Sequence, residues 1–155
     1  MPDIPLGSLF ITQHNGTSGL FIRAQLIPEK GEVEEWAVAL HTASKNPELV
    51  PLHIFDMPGI VLDENTFMEI DDSSLLFDRN RHAVGNILVE ENDSYLIAST
   101  WTNHSVYVNL KTGQVKLRYS TKESVGFSDW SVIKMEGDTS VTLIKHTSAN
   151  HNLPS

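Results

Sequence analysis

The stretch IVLDENTFMEIDDSSLLFD, residues 60–78, sets Asp63, Glu64, Glu69, Asp71, Asp72 and Asp78 into an otherwise apolar pattern. No Lys or Arg lies between Lys45 and Arg79. Carboxylates at this density have distinct chemical uses. They ligate hard cations, they move protons in catalysis, or they form a negative surface that attracts a cationic partner.

Metal ligation finds no matching pattern. An EF-hand loop needs alternating oxygen ligands, a Gly at its sixth position and a terminal Glu, and this stretch has no such Gly. No metal and no other cofactor is expected. Paired carboxylates for glycoside hydrolysis are defined by a separation in space, so two acids among the twenty in the chain carry no information.

The seven histidines, His14, His41, His53, His82, His104, His146 and His151, form neither HExxH nor HxH. Each is expected to make an ordinary hydrogen bond at or near the surface. Nucleophilic catalysis lacks a GxSxG elbow. GFSDWS (126–131) offers Ser128 and Asp129 with His146 downstream, but a triad depends on proximity in the fold. A loop with local backbone hydrogen bonds is the expectation there. Phosphate-binding glycine loops are absent, and GTSG (16–19) has the wrong spacing. No catalytic residue is assigned.

Charge then narrows the partners. The formal net charge is −9, divided as −11 over residues 1–100 and +2 over residues 101–155. Such a balance repels nucleic acid and suits a basic protein partner. The small basic and aromatic set Tyr107, Lys116, Arg118, Tyr119 and Lys122 is too limited to reverse this. Zero cysteine excludes disulfides, thiol nucleophiles and cysteine-bound metals. The start, MPDIPLGSLFITQHNG, has no basic n-region or apolar h-region, and no apolar run approaches a membrane span. A soluble, cytoplasmic protein is expected, with no membrane partner.

The elements that must position these residues read as strands. SLFITQH (8–14) and LFIRAQLI (20–27) flank the turn NGTSG (15–19). LVPLHIFDMPG (49–59) carries two prolines, so any strand there is short or at an edge. IVLD (60–63), TFMEI (66–70), SLLFD (74–78), GNILVEE (85–91), SYLIASTW (94–101), SVYVNL (105–110), QVKLRY (114–119), WSVIKM (130–135) and SVTLIKH (140–146) follow. Strands at this spacing predict a mainly β, antiparallel sandwich or barrel-like single domain over 1–146, with 147–155 as a flexible tail. One segment points elsewhere. In residues 32–46, Val33, Trp36, Ala37 and Leu40 fit a helical period, with Glu early and Lys45 late. Trp36, Val38 and Leu40 also alternate as in a strand. Ala and Glu content favours one helix near 32–45, an α+β alternative to the all-β reading.

The hairpin WTNHSVYVNLKTGQV (101–115) places an aromatic before a strand of the form VxVxLxTG. It resembles a hairpin of small, acidic, β-rich polymorphic-toxin immunity proteins. The resemblance spans about fifteen residues and carries no catalytic residues. It implies a cytoplasmic, non-catalytic inhibitor of a cognate toxin.

The functional expectation is therefore a non-catalytic binding protein. Its acidic surface, Asp63, Glu64, Phe67, Glu69, Asp71 and Asp72, recognises a basic protein partner, with Phe67 as an apolar anchor. Phe55, Met57, Met68 and Phe77 are further candidate anchors. One rival is a small β-barrel enzyme or ligand-binding domain. Its pocket would be lined by Trp36, Trp101 or Trp130, with His53, His82 or His104 as acid–base groups. Another is a structural subunit of a larger assembly, marked by exposed strand edges.

Overall fold

The computed structural model describes residues 4–14, 16–40, 46–55, 59–118 and 123–147. The chain is mainly β. Its strands are β1 (Leu9–His14), β2 (Thr17–Leu26), β3 (Glu34–Ala39), β4 (Glu48–Pro51), β5 (Ile60–Val61), β6 (Thr66–Ile70) and β7 (Leu75–Leu76). There follow β8 (Ile87–Glu90), β9 (Asp93–Ser99), β10 (Ser105–Asn109), β11 (Val115–Lys116), β12 (Val125–Phe127), β13 (Trp130–Glu136) and β14 (Thr139–His146). Single 3₁₀ turns occupy Leu52–Ile54, Asp72–Ser74 and Arg79–His82.

The helix expected near 32–45 is not formed: residues 34–39 are the strand β3, and residues 41–45 lie outside the described set. The reason is burial on both faces. Val38 and Leu40 face the main core, with Trp36 packed against it, while Ala37 and Ala39 face a second cluster with Phe10 and Phe21. A strand buried on both sides loses its apolar–polar alternation, so its apolar positions also satisfy a helical period. Pairing with β2 on one edge and β4 on the other then decides the conformation.

Six strands close into a ring. β2, β3 and β4 pair antiparallel, β4 meets β9 through one parallel step at Glu48 and Ser99, and β9, β10 and β11 pair antiparallel. The ring shuts where Gln25 and Gln114 form a parallel bridge, with the Gln25 amide donating to the Gly113 carbonyl at 2.9 Å. Two flaps leave the ring. β1 and β5 extend from the first half of β2, and β8, β12 and β7 extend from β9. A separate three-stranded sheet, in the order β14-β13-β6, packs its inner face on the ring's core through Trp130 and Val132, with Met68, Ile70 and Ile144 alongside.

Trp130 anchors that second sheet. It is 2% exposed, its indole Nε1 donates to the Gly85 carbonyl at 2.7 Å, and its ring stacks on His146 at 4.9 Å and 8°. A buried indole N–H without an acceptor would cost about 1–3 kcal/mol, so this bond holds β13 against the turn before β8. Away from the core, Arg23 is buried on the outer face of β2 and pairs with Glu35 on β3. Burial pushes the Glu35 carboxyl up, but hydrogen bonds from Gln25 and Arg23 and the guanidinium charge outweigh it, leaving the pKa lowered.

Closure depends on two glycines. Gly7 (φ +84°) and Gly113 (φ +75°) meet where the 109–114 turn docks on the entry to β1. A Cβ on Gly113 would lie 2.6 Å from both the Arg23 carbonyl oxygen and the Gly7 nitrogen. Gly113→Ala therefore combines left-handed strain with a backbone clash and is expected to lower stability by about 2–4 kcal/mol. Gly16→Ala is the control: it shares a positive φ (+77°) but meets nothing within 4 Å, so it should cost only about 1 kcal/mol. Urea unfolding of the two variants checks the difference, and equal losses would show that the joint bears no closure strain.

Candidate functional site

A cleft of about 500 Å³ opens between β6 and the large sheet. Its apolar wall comprises Leu9, Ile22, Leu62, Met68, Ile87 and Leu110. Polar groups also line it: exposed Asp63 and Glu64 with buried Thr66 from the turn into β6, and Asn92, Ser94 and Lys111 from the large sheet's turns and β9. Ile11 and Ile60, paired across β1 and β5 on the same face as Leu9 and Leu62, are exposed and extend the apolar strip beyond the cleft.

Local turn chemistry sets the acidic lip. Asp63 Oδ1 accepts from the Asn65 amide at 3.0 Å, and its carbonyl accepts from the Thr66 amide at 3.0 Å. This side-chain-closed turn starts β6 and leaves Glu64 at its exposed tip. Phe67 follows on β6, 38% exposed, and also lines the cleft.

The six residues expected to act together fall into two groups. Asp63, Glu64 and Phe67 share the cleft. Glu69, Asp71 and Asp72 instead line a smaller hollow with Asp129, Ser131 and Lys145. Glu69 pairs with Ser131, which pairs with Lys145, so one row across the small sheet carries both charges. Asp71 caps the following 3₁₀ turn, accepting from the Ser73 amide at 3.0 Å and its hydroxyl at 2.6 Å. Those bonds, with the nearby Lys145 charge, hold its carboxyl below the usual carboxylate range. The acidic window thus lacks cations in sequence but gains Lys145 in space.

Other candidates disperse. Phe55 packs with Phe21 at 4.7 Å and Phe10 at 6.1 Å, Phe77 is exposed beside Arg81, and Met57 lies outside the described residues. Trp101 is 77% exposed at the β9–β10 turn, where His104 Nδ1 lies 2.9 Å from the Thr102 hydroxyl. His53 sits on the Leu52–Ile54 turn. The cleft is lined by none of Trp36, Trp101, Trp130, His53, His82 or His104. Ser128, Asp129 and His146 do meet, but His146 Nδ1 faces the Ser128 carbonyl oxygen at 3.3 Å. The Ser128 hydroxyl donates to Asp129 at 2.9 Å, which leaves no histidine placed between serine and acid. Among the described residues no group of His and carboxylates converges as a metal site. On the outer face of β9 and β11, Lys116 Nζ lies 3.1 Å from the Tyr95 hydroxyl and 5.0 Å from its ring centroid. Tyr119 and Lys122 lie outside the described residues.

The cleft wall was hidden from sequence reading because Leu9, Ile22, Ile87 and Leu110 come from four separate segments. One local signal existed. In TFMEI, Phe67, Met68 and Ile70 put apolar side chains on both faces of β6, which marks more than a half-buried strand.

His82 supplies a pH test of the outer face. It meets the Tyr107 ring edge-on at 6.3 Å, and burial, then the Arg81 charge, hold its imidazole below its ordinary pKa. The unfolded chain therefore takes up its proton first as pH falls through about 6.5, and folding loses stability there. His82→Gln should flatten this part of the stability–pH curve, measured by urea unfolding between neutral and mildly acid pH. An unchanged slope would place the titration elsewhere.

No family model, no curated protein and no solved structure matches this chain, so its function is argued from the cleft and its lip.

Proposed function

We propose that this chain is a non-catalytic binding protein that holds a basic protein partner against the acidic lip of the cleft. The observation that carries the reading is the union of an open apolar wall with Asp63 and Glu64 at its mouth. An apolar hollow gains contact energy when filled, and exposed carboxylates speed encounter with a cationic surface and reject anionic ones. Phe67 is the anchor beside them. Glu69, Asp71 and Asp72 extend the negative edge but are partly answered by Lys145. The more specific form of the reading is a toxin-neutralising immunity protein acting in the cytoplasm, in keeping with the resemblance of hairpin 101–115. No described helix is long and apolar enough to cross a membrane.

The test is a charge reversal that spares the turns. Asp63 and Asp71 close local structure, whereas Glu64 and Glu69 are exposed side chains. Glu64→Lys with Glu69→Lys should keep the circular dichroism spectrum. It should abolish low-salt retention of basic proteins that the unaltered chain captures and that high salt releases. Retention unchanged by the double reversal, or insensitive to salt, would overturn the reading.

A further inference from the structure

The cleft-facing side of β6 is a free strand edge. In an antiparallel pair, successive residues direct their backbone N–H and C=O alternately toward and away from the partner strand. The Met135 amide donates to the Asn65 carbonyl at 2.8 Å and the Asp71 amide donates to the Asp129 carbonyl at 3.0 Å. Residues 65, 67, 69 and 71 therefore point their backbone groups at β13. Residues 66, 68 and 70 point theirs the other way. The Thr66 amide is taken by the Asp63 carbonyl. The amides and carbonyls of Met68 and Ile70 have no backbone partner among the described residues, and both residues line the cleft.

Protected edges usually show a bulge, a Pro or a Lys. The other outer strand of this sheet, β14, has one: its ladder with β13 slips between Val132 and Ile133. β6 has none of these, and its register runs unbroken from Thr66 to Ile70. The large sheet shields it instead, leaving an opening of about 500 Å³. An opening of that size falls within the range of ligand clefts.

We propose that the partner binds by adding an extended peptide strand to the free edge of β6, with apolar side chains against Leu9, Leu62 and Leu110 and basic ones at Asp63 and Glu64. Main-chain bonds to Met68 and Ile70 give affinity, and the alternating side chains give selection. Two carboxylates, Asp63 and Glu64, outnumber the single Lys111 at the lip, and that balance commits the occupant to a basic segment. This rests on the binding reading above and adds its mode.

The test uses a synthetic peptide of alternating valine and lysine, about seven residues long to span β6. Two further versions carry methyl groups on the valine or on the lysine backbone nitrogens, each blocking one edge. Binding is followed by fluorescence anisotropy and by amide hydrogen exchange. In the free chain, Met68 and Ile70 amides should exchange faster than those of Phe67 and Glu69, and the peptide should slow them. One methylated version should bind at least tenfold more weakly than the parent. If both methylated versions bind like the parent but the Glu64→Lys, Glu69→Lys protein does not, strand addition is wrong and the acidic reading stands. If Met68 and Ile70 become protected while the charge reversal changes nothing, strand addition stands and the acidic reading falls. Absence of parent binding, or protection of both amides before any peptide is added, overturns the proposal.

Discussion

The seam between Gly7 and Gly113 is the constraint on which the rest depends. Antiparallel hairpins account for most of the ring, and each forms from neighbours in sequence. The seam is long-range: the Gln25 amide donates to the Gly113 carbonyl at 2.9 Å, and beside it the Gly7 amide holds the entry to β1 on the Arg23 carbonyl at 2.8 Å. Neither bond survives a side chain at Gly113, because the backbones approach closer than a Cβ allows. Closure also removes two sheet edges that would otherwise pair with other chains. The adjoining Lys111 and Leu110 then become one wall of the cleft. The same contact that completes the barrel thus fixes one side of the candidate site.

The opposite side is fixed by a different device. β6 pairs with β13 alone, so its position follows that of the small sheet. That sheet is held by Trp130, whose indole is bonded to Gly85 and stacked on His146. The two walls are therefore anchored independently, one by backbone closure and one by a buried aromatic. Filling the cleft with a partner recovers the contacts that the open apolar wall lacks.

Much of the fold was legible because its strands alternate. The alternation in SVYVNL and QVKLRY puts Val106, Val108 and Val115 on one face, and all three are buried, while Leu117, in phase with Val115, is 62% exposed because the pairing of β11 ends at Lys116. The misreading at 34–39 came from a strand buried on both faces, where period two and period 3.6 coincide over six residues. β12 was missed because Val125-Gly126-Phe127 is only three residues long and has a glycine at its centre. The acidic window was legible as charge but not as two places. Asp63, Asp71 and Asp78 each accept a backbone hydrogen bond two residues on, a local role that turn residues commonly have. Lys145 comes beside Glu69, Asp71 and Asp72 because β14 pairs with β13 and β13 with β6, the latter a pairing of long sequence separation that no local pattern encodes.

The division of labour within the lip follows from these roles. A carboxylate that closes a turn is held in place, so its remaining lone pairs face a direction set by the backbone. Asp63 is such a group, and Glu64 beside it is a free arm on the turn's tip. One fixed and one adaptable negative charge can meet cationic side chains at different reaches without reshaping the apolar wall. Both are solvent-exposed, so salt screens their attraction and their main effect lies in encounter and orientation. On the binding reading proposed above, lasting contact would come from surface that water leaves, the wall of Leu9, Leu62 and Leu110 and the backbone edge of β6. An acidic face alone would select basic partners indiscriminately. Coupled to a cleft beside an unpaired strand edge, as proposed above, such a face would select those that also present an extended segment with apolar residues at alternate positions.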